Sequence, residues 1–91
     1  LQRVFEAPAL TVITPAENLT TTERSIIVDG TTEPEAQIRV NEREIPVDSS
    51  GVFQERITLR EGLNTIRITA KRGRSATAVV QRIIFVEEKA P

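Results

Sequence analysis

The sequence contains no cysteine, histidine, tryptophan, tyrosine or methionine. Without cysteine no disulfide can form, so sulfur chemistry does not indicate a compartment. Without cysteine and histidine, transition-metal sites and most acid–base or nucleophilic pairs are excluded. Sugar or base recognition would also lack the stacking surfaces that tryptophan and tyrosine supply. We therefore expect a non-catalytic protein with no catalytic residue, no metal site and no cofactor.

An excess of charge of one sign is also missing. Twelve basic and thirteen acidic residues give a net charge of -1 over 91 residues. A surface for nucleic acid or anionic lipid would need basic residues in excess on one face, so we expect no nucleic-acid partner. No apolar run reaches the roughly 18 residues that span a bilayer. Because the chain opens on Leu1 without a signal-like segment, we expect part of a longer protein, attached to a membrane only through an upstream anchor.

Apolar and polar residues alternate along most of the chain, which is the pattern of half-buried β-strands. Ile38 and Val40 are predicted to face inward with Arg39 outward, and Ile66 and Ile68 repeat the pattern further on. Residues 16–23 are polar and are interpreted as a loop. The spacing of turn signals favours a sandwich or a small barrel with about seven strands. The predicted strands cover residues 10–13, 24–29, 37–41, 44–47, 52–59, 65–71 and 75–86.

Three turns and one sheet edge can be predicted from individual residues. Pro46 cannot donate a hydrogen bond to a neighbouring strand, so its strand is expected at a sheet edge. Residues 48–51 predict a hairpin turn in which Asp48 bonds local backbone, and a Ca²⁺ loop is the less favoured interpretation. Asn41 and Asn64 lie at strand ends, where turn geometry is favoured over ligand binding.

Glu55 and Arg82 lie among strand residues whose neighbours are predicted to be buried. Buried charges are normally paired, so one interpretation is a salt bridge between the two. The simpler interpretation is exposure at the end of the sandwich or after a bulge. We expect that bulge near residues 80–82, because the last strand is long enough to change its buried face there.

The order of several turn motifs resembles the bacterial immunoglobulin-like domain related to glucodextranase domain B. That family typically shows a Gly-x-Thr followed by Pro, a V-x-V-N-G strand end, a D-x-x-G-x-F hairpin and an L-x-x-G-x-N-x-I turn. Two departures are the Glu42 that follows Asn41 in place of glycine, which predicts a looser turn, and Glu55 at a position that is often apolar. The matching segments are residues 30–36, 38–41, 47–53 and 59–66.

The resemblance implies an all-β, immunoglobulin-like sandwich of about seven antiparallel strands with Greek-key connections over residues 10–86. Residues 1–9 are then an N-terminal linker, and residues 87–91 a C-terminal tail. Residues 4–10 are similar to the segment after the membrane helix in RodZ-like envelope proteins, which implies a juxtamembrane linker and an extracytoplasmic location.

The favoured function is a structural or protein-interaction domain of a bacterial cell-envelope protein, and the resemblance to RodZ-like proteins implies the outer part of a membrane-anchored cell-shape or division factor. The alternative is a carbohydrate- or cell-wall-binding accessory module of a secreted enzyme. The expected partners are envelope proteins or a cell-wall polymer, and the isolated domain is expected to be monomeric.

Three outward arginines are the candidate binding residues. Arg39 and Arg67 fall on strands that are neighbours in an immunoglobulin sandwich, and Arg56 falls on another strand. Together they could accept an acidic partner or the carboxylates of a glycan. An ordinary charged sheet face is the competing interpretation, because glutamates are interspersed among them.

Overall fold

The computed structural model describes residues 6–89, and in this range the chain forms eight β-strands and no helix. No segment of the described range is therefore a helix able to cross a membrane. The strands are β1 (Leu10–Thr14), β2 (Asn18–Thr21), β3 (Ser25–Thr32), β4 (Gln37–Val40), β5 (Arg43–Ile45), β6 (Val52–Thr58), β7 (Gly62–Lys71) and β8 (Ala78–Val86).

The strands form two sheets packed as a sandwich. One sheet has three strands in the order β1-β3-β6, and the other has five in the order β2-β8-β7-β4-β5. The chain crosses between the sheets five times, at every connection except those from β4 to β5 and from β7 to β8, and sheet-to-sheet connections are typical of Greek-key sandwiches. The prediction of an all-β immunoglobulin-like sandwich is confirmed, and β5 with the neighbouring Pro46 does lie at a sheet edge.

β2 is the strand that the sequence did not predict. Its residues, Asn18–Thr21, fall in the segment interpreted as a loop, and they pair with β8 in parallel. Leu19 is the only large apolar residue of β2, and it packs against the core from opposite Ile84. The sandwich thus has one strand more than expected and one parallel pair among antiparallel ones. The sequence did not predict β2 because a single apolar residue shows no alternation.

The core consists of the inward residues of both sheets. Ile38, Ile66, Ile68 and Ile84 are at most 1% exposed, and Phe53 fills the centre from the three-stranded sheet. Burying a large aliphatic or aromatic side chain contributes about 1.5–3 kcal/mol, so this cluster is the main stabilising term. The alternation predicted for β4 and β7 is confirmed, since Ile38, Ile66 and Ile68 all face the core.

The β4–β5 turn remains tight despite the missing glycine. Val40 pairs with Arg43, so the loop has only two residues, Asn41 and Glu42. Their φ angles are 50° and 74°, as a type I′ hairpin requires at both positions. The expectation of a looser turn at Glu42 was wrong, because Glu42 adopts the left-handed conformation that glycine would take more easily.

No bulge occurs in β8. The β7–β8 register runs without a shift from the Gly62–Val86 pair to the Ala70–Ala78 pair. The predicted bulge near residues 80–82 was therefore wrong, and Arg82 keeps its inward parity. A register shift occurs instead in β1 between Val12 and Thr14, where Ile13 is left 62% exposed.

The first strand begins at Leu10 and the last ends at Val86. The predicted linker and tail extend beyond the described range, since residues 1–5 and 90–91 lie outside it. The part of the linker that is described contacts the sandwich, because Ala9 N–H donates to the Glu33 carboxylate at 2.9 Å and the Ala9 carbonyl accepts from Thr32 Oγ1 at 2.6 Å.

Candidate binding site

The three candidate arginines do not share one face. Arg39 in β4 and Arg67 in β7 point outward from the five-stranded sheet, because their strand neighbours Ile38 and Ile68 are buried. Arg56 lies in β6, on the outer face of the opposite sheet. The sandwich therefore brings Arg39 and Arg67 together and separates Arg56 from both, and a binding role for these residues stays a prediction.

The two arginines of the shared face differ in their charge partners. Arg67 forms an ion pair with Glu42 at 3.7 Å. Within residues 6–89 no such ion pair involves Arg39. Arg56 donates to Ser25 Oγ at 3.0 Å. The positive charge of Arg39 is thus the less neutralised one on the outer face.

A polar depression of about 330 Å³ lies beside Arg39 on this face. It is bounded by β4, β7 and the β7–β8 loop, and the described residues that line it include no carboxylate and no aromatic ring. Its hydrogen-bonding groups are two cations, two hydroxyls and an amide, which together can bind an anionic or hydroxyl-rich ligand. The lining residues are Gln37, Arg39, Thr69, Lys71, Gly73 and Thr77.

The register of β4 and β7 places these side chains next to one another. Gln37 is opposite Lys71, and Arg39 is opposite Thr69. Because alternate residues of a strand point to the same face, all four side chains project outward. Glu44 is opposite Arg39 on the other side, in β5, and does not line the depression.

The loop that forms the remaining wall is held in place by its own contacts. Ser75 is buried, its N–H donates to the Arg72 carbonyl at 3.0 Å, and its hydroxyl accepts from Arg72 N–H at 2.9 Å. The Arg72 guanidinium pairs with Glu33 at 3.3 Å. These contacts tie the loop that carries Gly73 and Thr77 to itself and to Glu33.

A second depression, of about 370 Å³, lies at the β6–β7 end of the sandwich. Asn41 and Asn64 line it, but both side chains are already used by the backbone. Asn64 Nδ2 donates to the Arg60 carbonyl at 2.8 Å, and Asn41 Oδ1 accepts from Arg67 N–H at 2.9 Å. These bonds agree with the turn role favoured for the two asparagines.

Asp48 organises the β5–β6 turn as the hairpin interpretation expects. Its carboxylate accepts hydrogen bonds from Val52 N–H at 2.9 Å and from Ser50 N–H and Oγ at 2.9 and 2.8 Å. The bond from Val52 is the main cause that lowers the pKa of Asp48 below its ordinary 3.8, and the Ser50 hydroxyl adds to it. The carboxylate oxygen thus already has partners within the turn.

Glu55 and Arg82 do not pair with each other. Glu55 forms an ion pair with Arg43 of β5, across the edge where the two sheets approach. Arg82 donates from Nε to the Pro15 carbonyl at 2.9 Å and from an Nη to the Val12 carbonyl at 3.1 Å. The predicted salt bridge between the two was therefore wrong, because each charge has another partner. Exposure was wrong as well, since both residues are half-buried and β8 has no bulge.

Two apolar side chains are exposed at the far end of the outer face from the depression. Leu63 and Phe85 are direct cross-strand neighbours in β7 and β8, and they are 68% and 45% exposed. Because they are adjacent, they present one continuous apolar surface. An exposed apolar surface can mark a contact with another protein.

The Glucodextranase, domain B family model matches residues 8–88, nearly the whole chain. The chain belongs to the glucodextranase domain B family. The resemblance noted in the turn motifs is thereby confirmed, whereas nothing in the match concerns RodZ-like membrane proteins. A comparison with curated proteins finds no match.

Solved structures of other proteins share the fold of this glucodextranase B domain. The chain is similar to the fibronectin(III)-like modules of Clostridium thermocellum CbhA, with 16% identity, a TM-score of 0.65, and 90% of this chain and 100% of that one covered. It is also similar to part of an FMN-binding β-glucuronidase from Facaelibacterium prausnitzii L2-6, with 14% identity and a TM-score of 0.56. That match covers 94% of this chain and 13% of the other. At these identities the likeness concerns the fold alone.

Sequence reasoning found Arg39 but missed the residues around it. Lys71 and Thr69 lie at outward positions of the strand whose alternation was predicted, so parity alone assigns them to the outer face. Which of them meets Gln37 or Arg39 depends on the β4–β7 register, for which the sequence gives no signal. Thr77 belongs to the segment predicted as the start of the last strand, but it lies in the loop before β8.

Proposed function

We propose that this domain is a non-catalytic accessory module of a carbohydrate-active enzyme that works outside the cytoplasm. The observation that carries the proposal is the family match over residues 8–88, since the family takes its name from a domain of glucodextranase. The similarity in fold to the modules of CbhA supports it. Of the two functions expected from the sequence, this one was the alternative.

The geometry supports a role in positioning and binding rather than in chemistry. Glu55 pairs with Arg43, and Asp48 is bonded by its own turn. No group of three or more acidic side chains in the described range could hold a metal ion. What the sandwich offers is a stiff body whose outer five-stranded sheet carries a polar depression and an apolar pair at fixed positions.

The proposal can be tested by determining the sequence of the full polypeptide on either side of this chain. We expect a catalytic domain for carbohydrate chemistry in the same polypeptide, on one side of residues 10–86. Incubating the chain itself with polysaccharides should release no reducing ends. A polypeptide that contains this domain and a membrane helix, but no catalytic domain, would contradict the proposal.

The second candidate is a structural or protein-interaction domain of a bacterial cell-envelope protein, anchored by an upstream helix as in RodZ-like proteins. The observation that favours it is the exposed Leu63–Phe85 pair, which suits contact with another protein. The same reading of the flanking residues separates the two candidates. An apolar run of about 20 residues before Leu1, without an enzyme, would favour this second one.

A further inference from the structure

We infer that the depression bounded by Gln37, Arg39, Thr69, Lys71, Gly73 and Thr77 binds the carboxylate-bearing sugar of an acidic glycan. The inference deepens the proposed function and rests on it for the choice of a saccharide as ligand. It extends the predicted role of Arg39 to a defined site and adds Lys71 as the second cation.

The first argument is charge. Arg39 and Lys71 are exposed, both project outward from the same sheet, and the described residues that line the depression contribute no acidic group. Neither cation takes part in an ion pair within residues 6–89, whereas Arg24, Arg43, Arg67 and Arg72 each have a glutamate partner. Glu44 is opposite Arg39 on the β5 side but does not line the depression. Two cations and no carboxylate along the lining of one cavity favour a negatively charged ligand.

The second argument is the hydrogen-bonding inventory. The Arg39 guanidinium can donate two parallel bonds to a carboxylate, and the Lys71 ammonium can donate up to three without fixed direction. Thr69 and Thr77 can both donate and accept, and the Gln37 amide offers a donor and an acceptor. Sugar hydroxyls need partners that can donate and accept, and a carboxylate needs donors, so the set matches a sugar acid.

The third argument is what the cavity does not contain. No aromatic ring lines it, and the described phenylalanines lie elsewhere, Phe53 in the core and Phe85 at the far end of the face. A neutral sugar bound in water gains much of its affinity from stacking on aromatic rings, which this site does not offer. Affinity here must come from charge-assisted hydrogen bonds, which select an acidic sugar over a neutral one.

The fourth argument is the volume of the depression and the contacts that hold its wall. A volume of about 330 Å³ lies at the small end of ligand sites, which suits one or two sugar rings. The wall formed by residues 72–77 is held by the Ser75–Arg72 bonds and the Arg72–Glu33 ion pair. A preformed wall reduces the ordering cost of binding, so weakly bound single sugars can still be held.

The test is an NMR titration of the ¹⁵N-labelled chain with a trimer of galacturonic acid. We expect the amide signals of residues 37–39 and 69–77 to shift, and the affinity to fall as salt is added. A neutral trisaccharide of the same size should bind at least tenfold more weakly. Arg39→Gln and Lys71→Gln should each weaken binding about tenfold, as the loss of a charge-assisted bond implies. Arg24→Gln, where the arginine pairs with Glu61 away from the depression, is the matched control and should bind as the unmodified chain does.

Three results of the saccharide titrations would overturn the inference. These are no shift in this region, equal affinity for the neutral trisaccharide, or binding that Arg39→Gln and Lys71→Gln leave unchanged in folded protein. Inorganic phosphate separates a sugar site from a simple anion site, and phosphate binding as tight as that of the trimer would also overturn it. The two proposals can fail separately. If the chain does not bind the trimer, a catalytic domain can still be present in the same polypeptide. If no catalytic domain is present, the titration result still stands.

Discussion

The guanidinium of Arg82 in β8 reaches across the sandwich and donates a hydrogen bond to the Val12 carbonyl in β1, at 3.1 Å. A second bond, to the Pro15 carbonyl at 2.9 Å, ties the same side chain to the connection between β1 and β2. Both carbonyls belong to the segment where β1 is irregular, since the register shifts after Val12. Arg82 therefore links the five-stranded sheet to the edge of the other sheet where the β1–β3 register shifts.

Replacing Arg82 with methionine should destabilise the domain although it removes no core residue. The methionine keeps an apolar stem but leaves the Val12 and Pro15 carbonyls without their charged donor. We expect a loss of about 2 kcal/mol in the free energy of unfolding, the usual value for a hydrogen bond to a charged group. Urea denaturation measures it, with Gln81→Met on the outer face as control. A loss no larger than that of the control would show that the two bonds contribute nothing net.

The two described phenylalanines should respond very differently to truncation. Phe53 is 1% exposed at the centre of the core, whereas Phe85 is 45% exposed on the outer face. Phe53→Ala should cost about 3–5 kcal/mol, because it removes a large buried surface and leaves a cavity. Phe85→Ala should cost about 1 kcal/mol or less, as surface substitutions do. Thermal and urea unfolding of the two variants provide the comparison, and equal losses would contradict the assignment of the core.

Gly30 in β3 is required by the close approach of the β1 backbone. A Cβ at this position would overlap the Thr11 carbonyl oxygen of β1 and lie 2.9 Å from Phe53 Cζ. Gly30→Ala must displace the β1 backbone, which should cost about 1–3 kcal/mol. The neighbouring Thr31→Ala, at an exposed position, serves as control and should stay within about 0.5 kcal/mol. If denaturant midpoints of the two variants coincide, the close approach of β1 and β3 is not as described.

Asp48 should make the free energy of unfolding of the domain depend on pH in the acid range. Its pKa is lowered in the folded state by bonds from Val52 and Ser50. A carboxyl group whose folded-state pKa lies below its unfolded value of 3.8 stabilises the fold above that pH. That contribution is lost as the pH falls from 3.8 through the folded-state pKa.

The variant Asp48→Asn should therefore lose less stability than the unmodified chain between neutral pH and about pH 2. Unfolding by urea at a series of pH values measures this, with Glu88→Gln in the exposed C-terminal segment as control. A pH dependence identical in Asp48→Asn and in the unmodified chain would contradict the role of the turn carboxylate.

The predictable part of the fold was the part that depends on local alternation. The inward faces of β4 and β7 follow directly from Ile38, Val40, Ile66 and Ile68, because neighbouring side chains point to opposite faces. β2 escaped prediction because Leu19 alone carries its inward pattern, and its partner β8 lies more than 60 residues away. The bulge in β8 was wrongly predicted for a similar reason. Arg82 can face inward because it donates to carbonyls 67 and 70 residues away in the sequence, which no local pattern reveals.

The candidate site could be predicted only in part for the same reason. Outward positions such as Arg39 are visible from parity, and the sequence placed it correctly on an outer face. The separation of Arg56 from Arg39 depends on which sheet each strand joins, and the depression depends on the β4–β7 register and on a loop held by Arg72 and Ser75. Such features are tertiary, and neither spacing nor residue type specifies them.

The most direct test of the central claim compares the whole polypeptide that contains this domain with a form from which residues 10–86 are deleted. An accessory module should matter for polymeric carbohydrate and not for the chemistry of bond cleavage. We predict that kcat/KM on a small soluble substrate is unchanged by the deletion, while hydrolysis of the polymer falls. Loss of activity on the small substrate in a form whose catalytic domain remains folded would contradict the account.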